Sequence, residues 1–193
     1  MILGVTIAVV LILGSEIWTT ENTPIIVSEQ PLARMTDIPL MDSTPQPTSL
    51  GAGLGQWQFL YFGYRSCPDI CPTTLAYLSK ETKLLTPDIH PFRVVFISVD
   101  PRRDPPQAAD EYAKSFHPDF MGLTGKEEDL RALTKLVGGS FGYEDKLSKA
   151  GYLVNHPAAI FVVDPRGQLI KTISPPFESG AVAKFMTKIS RGR

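Results

Sequence analysis

The chain has 193 residues, 43% of them hydrophobic and 20% charged, enough for one core of about 150 residues plus an appendage, with no sign of a second core. A net charge of -1 and the lack of any Lys/Arg run exclude the electrostatic footprint of a nucleic-acid binder. The 17 prolines fall mostly at the ends of apolar runs and in one early linker, so they punctuate the fold.

Residues 1–14 (MILGVTIAVVLILG) are apolar throughout, followed by Glu16 and Trp18. At ~1.5 Å per residue such a helix is about 21 Å long, short of the roughly 30 Å hydrocarbon core. The segment 1–18 is read as a membrane anchor that holds the domain outside the cytoplasm, on the bacterial periplasmic face of the inner membrane. A cleaved signal peptide and a helix whose start precedes this chain are the alternatives. Residues 19–50, rich in Pro, Ser and Thr, form a linker that merges into an irregular hairpin, and 51–193 form the folded domain.

Within that domain, aromatic and apolar density predicts a strand at 56–62. A helix follows at 72–85, with Leu75, Leu78 and Leu85 on one face and Pro87 beyond its end. The run FRVVFISV, 92–99, predicts a central strand buried on both faces. Helices are predicted at 105–116 and 126–137, the second stopped by Gly138 and Gly139. Residues 158–163 and 168–173 make a hairpin about the turn Asp164-Pro165-Arg166-Gly167, and a last helix covers 178–189. This β, α, β, α, α, β, β, α order predicts a mixed α/β sheet flanked by helices, an order that is thioredoxin-like.

Cys67 and Cys71 are the only cysteines, and they stand between the first strand and first helix in FGYRSCPDICP. Spaced i, i+4, they lie about 5–6 Å apart if helical, which suits either shared metal ligation or, with loop adjustment, a disulfide. Cys71 precedes Pro72 at the helix start, where the dipole is expected to favour a thiolate. Paired thiolates favour soft Cu(I) or borderline zinc over Mg or Ca, but four-coordinate zinc lacks its remaining ligands here. Of three histidines, His90 and His117 sit beside prolines in polar connections and are read as surface residues. His156 leads into the 158–163 strand, and in a thioredoxin-like sheet that loop faces the helix start carrying the cysteines.

Several stretches together resemble the Sco/SenC copper-chaperone family: YFGYRSCPDICPTTL (61–75), FISVDPRRD (96–104), GLTG (122–125) and the run from Asn155 to Gly167. The resemblance implies a thioredoxin-like fold, a membrane tether, copper held by Cys67, Cys71 and His156, and a role in assembling the copper centre of cytochrome c oxidase. It implies as partner the copper-bearing oxidase subunit or another copper chaperone. Three positions depart from the family pattern. Arg65 stands where a small or hydroxyl residue is usual and would offset thiolate charge. Asn155 replaces a common acid and would have to orient the imidazole by its amide. Pro157 follows the histidine, and a cis bond there is one option.

The remaining polar residues have plainer readings. Asp104 before Pro105 suits an N-cap, with Asp100 and Arg103 in the same turn; recognition of a partner by this cluster is the alternative. Asp164 is a turn residue, and Met35, Met41 and Met121 are scattered packing residues. Three functions therefore compete. The first is a metallochaperone that binds one copper, Cu(I) or Cu(II), and gives it up by ligand exchange. The second is a thiol-disulfide oxidoreductase, which needs the cysteines but not His156. The third, a peroxidase, draws on Thr73 and Thr74 but lacks the expected motif order.

Overall fold

A computed structural model describes residues 32–89, 91–148 and 151–191. The anchor expected at 1–18, the first part of the linker and His90 lie outside the described residues. Among the described residues no helix is long and apolar enough to cross a membrane.

The sheet has five strands in the order β5 (Met121–Leu123), β4 (Phe92–Ser98), β3 (Trp57–Gly63), β8 (Ile160–Val163), β9 (Leu169–Ile173). Its middle strand β3, Trp57–Gly63, is buried at every position, as a strand covered on both faces must be. β4 (Phe92–Ser98) runs parallel beside it, so the strand expected at the centre is interior but one place off. β8 (Ile160–Val163) and β9 (Leu169–Ile173) continue the sheet antiparallel on the other side. The expected mixed sheet flanked by helices is therefore present. The edge strand β5 (Met121–Leu123), parallel to β4, was not predicted. Its Gly122 lets helix α3 (Pro106–Lys114) approach, since a Cβ there would stand 2.1 Å from the Ala109 carbonyl oxygen.

Before the sheet lie the short helix α1 (Leu32–Asp37) and the two-residue antiparallel pair of β1 (Leu40–Met41) and β2 (Pro47–Thr48). A turn of 3-10 helix at Leu50–Gly53 then meets the amino-terminal end of β3. There the buried Gln58 side chain donates to the Leu50 carbonyl (3.2 Å), and Arg93 donates to both Gln58 Oε1 and the Leu50 carbonyl (2.6 and 3.0 Å). The guanidinium fills the space that any Cβ at Gly53 would need.

Helix α2 spans Ile70–Glu81, starting two residues earlier than predicted and passing into 3-10 helix at Thr82–Leu84. Helix α4 is Glu127–Leu136 and α5 is Ala181–Arg191. Buried Glu81 at the end of α2 accepts the amides of Gly180, Val182 and Ala183 (2.6, 3.0 and 3.2 Å). It thus satisfies orphan donors at the start of α5 from another helix. Between α4 and β8 lies a second unpredicted feature, the hairpin of β6 (Gly142–Ser148) and β7 (Gly151–Asn155), which forms its own two-stranded sheet. The cis bond considered at Pro157 is not there; among the described residues the cis peptide is Pro175–Pro176.

Candidate metal centre

The cysteines are set by the end of β3. Period-two geometry puts Tyr61 and Gly63 on one face, and Cys71, second residue of α2, lays its sulfur over that face. The fit depends on glycine: a Cβ at residue 63 would stand 2.6 Å from Cys71 Sγ and 3.0 Å from the Phe96 ring. Cys67 sits in the preceding loop, its amide donating to the Tyr64 carbonyl at 3.2 Å. Both are free thiols; Cys71 is wholly buried and Cys67 8% exposed.

His156 comes 85 positions after Cys71, immediately beyond β7. Its Nε2 lies 3.4 Å from Cys71 Sγ and 4.0 Å from Cys67 Sγ. The ligand atoms of the three residues all lie within 4.8 Å of one another. Nδ1 is 3.2 Å from the Pro157 carbonyl oxygen. The tautomer with its proton on Nδ1 donates to that carbonyl and turns the bare Nε2 lone pair toward the sulfurs. Orientation therefore comes from the backbone beside the histidine and not from Asn155, which is exposed. Tyr61 and Tyr64 hold the ring edge-on at centroid distances of 6.1 and 5.8 Å. Pro157 itself packs against Gly139, where a Cβ would be 2.5 Å from its Cγ.

The two thiols are driven in opposite directions. The Cys71 thiol, hydrogen-bonding to Cys67, lowers the Cys67 pKa to about 4 against the opposing cost of burial, with help from His156 and from the backbone at Asp69 and Cys71. Burial, then the hydrogen bond to Cys67 and its charge, pushes Cys71 well above the ordinary thiol range. The expectation from the helix dipole is thus corrected. The amides at the start of α2 serve Cys67, and the residue inside the helix is too deeply buried to ionise first. Burial, above all, also raises Tyr61, whose hydroxyl lies in the interior beside Cys71.

Other predicted residues separate by role. Arg65 is exposed, and it is its amide that is engaged, donating to Asp104 Oδ2 at 2.8 Å. Asp104 is not the N-cap of α3, a position held by Pro105; its carboxylate instead takes the Arg65 amide and, at 2.6 Å, the Ser98 hydroxyl. That ties the cysteine loop to the end of β4. Asp100 accepts from Tyr152 and Arg103, so these residues form an internal cluster and more than a capped turn. Asp164 takes the amides of Arg166 and Gln168, as a turn residue does. His117 is half-buried and accepts the Asp119 amide at 3.2 Å. Met35 is core, Met41 is exposed, and the Met121 sulfur meets Arg93. Thr73 and Thr74 return their hydroxyls to the Asp69 and Ile70 carbonyls. Sequence reasoning passed over Gly63, Tyr61, Tyr64 and Tyr152; the Tyr-Phe-Gly-Tyr spacing before Cys67 was the available signal.

Comparison with known proteins bears on this site. The family model described as SCO1/SenC matches residues 29–191. The chain belongs to the SCO1/SenC family. A mitochondrial SCO2 homologue of Danio rerio is 38% identical over 138 residues, covering 69% of this chain; the match spans only about half (49%) of that relative's length. Among solved structures, Arabidopsis thaliana ScoI with copper bound superposes with a TM-score of 0.75 at 28% identity, over 81% of this chain and 97% of that one. Apo Sco1 of Thermus thermophilus gives a TM-score of 0.69 at 36% identity, over 79% and 89%. The family and its thioredoxin-like fold are therefore those the sequence motifs suggested.

Proposed function

We propose that this protein is a copper metallochaperone that carries one copper on Cys67, Cys71 and His156 and passes it on for assembly of the copper centre of cytochrome c oxidase. The observation that carries the reading is the donor set: two sulfurs and one imidazole nitrogen within 4.8 Å of one another, with Cys67 ready to ionise. Soft sulfur and borderline imidazole suit Cu(I) and Cu(II) and do not suit Mg or Ca. Membership of a family with copper-bound structures supports the choice of copper. The receiver is the copper-bearing oxidase subunit or another copper chaperone. Segment 1–18 anchors the protein and residues 19–50 link it to the domain 51–193, which works outside the cytoplasm, at the bacterial periplasmic face of the inner membrane.

Release is favoured by position. His156 borders an open cavity of about 640 Å³, also lined by Gly139, Phe141, Asn155 and Pro175, so an incoming ligand meets the imidazole before the buried sulfurs. One second reading has a specific observation behind it. Unequal thiols, Cys67 low and Cys71 high, are what a thiol-disulfide oxidoreductase uses for attack and resolution.

Titration of the reduced full-length protein with each copper valence separates the two. The chaperone reading expects one copper per chain and a sulfur-to-Cu(II) charge-transfer band, both lost in Cys71→Ser. It expects His156→Ala to lose Cu(II) while keeping dithiol oxidation. Parent-like Cu(II) binding by His156→Ala overturns the ligand assignment.

A further inference from the structure

The two halves of the site are held by different means. The cysteines rest on the central sheet and α2. His156 rides on the β6–β7 hairpin, which among the described residues forms a two-stranded sheet of its own and does not join that sheet. A two-stranded hairpin is at best marginally stable by itself, so side-chain contacts must hold it in place. Those contacts converge on the loop between β4 and α3. Tyr152 of β7 donates its hydroxyl to buried Asp100 Oδ1 at 2.7 Å, and Asp100 Oδ2 takes the Arg103 Nε–H. The Arg103 guanidinium carbon stands 3.7 Å from the Tyr152 ring centroid and 5.4 Å from that of Tyr64. Gly151 allows the approach, because a Cβ there would be 3.3 Å from an Arg103 terminal nitrogen. Tyr64, on the other flank of Arg103, belongs to the cysteine loop and packs edge-on to His156. A neighbouring contact reinforces the arrangement: Arg102 lies 4.2 Å over Tyr143 of β6, and both reach Glu127 of α4.

We propose that Arg103 is a positioning residue for His156. Wedged between Tyr64 and Tyr152 and anchored by Asp100, it clamps the hairpin to the cysteine loop and so sets the separation between the imidazole nitrogen and the two sulfurs. Arginine suits this place because its planar cation stacks on two rings while its Nε–H serves the carboxylate. Lysine would keep the charge and lose the plane. The lever is long: Tyr152 precedes His156 by four positions, ~13 Å along an extended strand, so a small tilt at the clamp displaces the ring. This inference rests on the copper reading only for its metal-bound readout.

The experiment compares the full-length parent with Arg103→Ala, Arg103→Lys and Tyr152→Phe. In metal-free protein the readout is the nuclear Overhauser contact between the His156 and Tyr64 rings. In protein loaded with Cu(II) it is affinity, by competition, and the position of the charge-transfer band. Arg103→Ala is expected to lose the ring contact, bind Cu(II) about 10–100-fold more weakly, as loss of an outer partner does, and shift the band. Its dithiol midpoint potential, set more by the Cys71 hydrogen bond and burial than by His156, changes far less than the copper affinity. Arg103→Lys recovers part of the affinity, and Tyr152→Phe, which keeps the ring and removes only the hydroxyl, shows the same changes to a smaller degree. A parent-like ring contact and affinity in Arg103→Ala overturn the clamp, as does an equal fall in dithiol behaviour and metal affinity. Should Arg103→Ala fail to fold, Tyr152→Phe decides by the same readouts. A parent that takes up no copper refutes the copper reading, and the ring contact alone then decides the clamp.

Discussion

The sulfur side and the imidazole side of the site are built on opposite principles. Cys67 and Cys71 are four residues apart, on a loop and first helical turn that a strand buried at every position leads into. Their placement is a local result of packing. His156 is brought in by a hairpin that, among the described residues, forms its own two-stranded sheet apart from the central one and leans on tyrosines, an arginine and one buried carboxylate. The difference teaches that one half is fixed by close-packed backbone and the other by a few adjustable side-chain contacts, so equal-sized substitutions should not have equal effects.

The sharpest way to break that contrast is Gly63→Ala. The added methyl would meet Cys71 Sγ and the Phe96 ring, both wholly buried, so neither has room to yield. Overpacking of this kind costs about 1–3 kcal/mol, and denaturant unfolding of the reduced protein should show it. A parent-like midpoint would mean that the sulfur side is as yielding as the imidazole side.

A second effect should come from pH. The folded-state pKa of Cys67 is lowered from 9.0 to about 4, so its thiolate stabilises the folded state fully above about 9 and progressively less as pH falls, with nothing left below about 4. Because the unfolded chain binds the extra proton across that window, stability should rise with pH there. Unfolding measured across the window in parent and in Cys67→Ser isolates the contribution, since the carboxylates are common to both. Identical slopes would remove the basis for a thiolate at Cys67.

The smallest effect is expected at Asn155→Ala. Asn155 is exposed and the imidazole is oriented by the Pro157 carbonyl, so stability should change by less than about 0.5 kcal/mol. Copper uptake and the ring contact between His156 and Tyr64 should stay as in the parent. A clear loss of metal affinity would return the orienting role to the amide.

These contrasts also explain what was legible in the sequence. β3, β4, β8, β9 and four helices could be read because their apolar periods are long and Pro or Gly marks many of their ends. β5 escaped because three residues with a central glycine carry no period, and only its pairing with β4 makes it a strand. β6 escaped because Gly-Tyr-Glu-Asp-Lys-Leu-Ser is polar, with its order coming from a partner strand and from contacts distant in sequence. The meeting of His156 with the cysteines followed from family resemblance and from the expected sheet order. The ionisation order of the thiols did not follow, since the helix start could be read while the depth of Cys71 beneath the fold could not. Asp104 misled for a similar reason: its place before Pro105 looks like a cap, but the amide of Arg65, 39 residues away, takes the carboxylate.

The Arg93 and Gln58 lock at Leu50 has a directional consequence. It fastens the segment leading out of α1 to the pole of the sheet where β3 begins, whereas the sulfurs lie beyond the last residue of that strand. Seven residues of extended chain span roughly 20 Å. Helix α1, packed on that 3-10 turn where Thr36 meets Gly51, therefore sits at the far pole, and the metal-facing surface looks away from it, toward whichever molecule stands opposite.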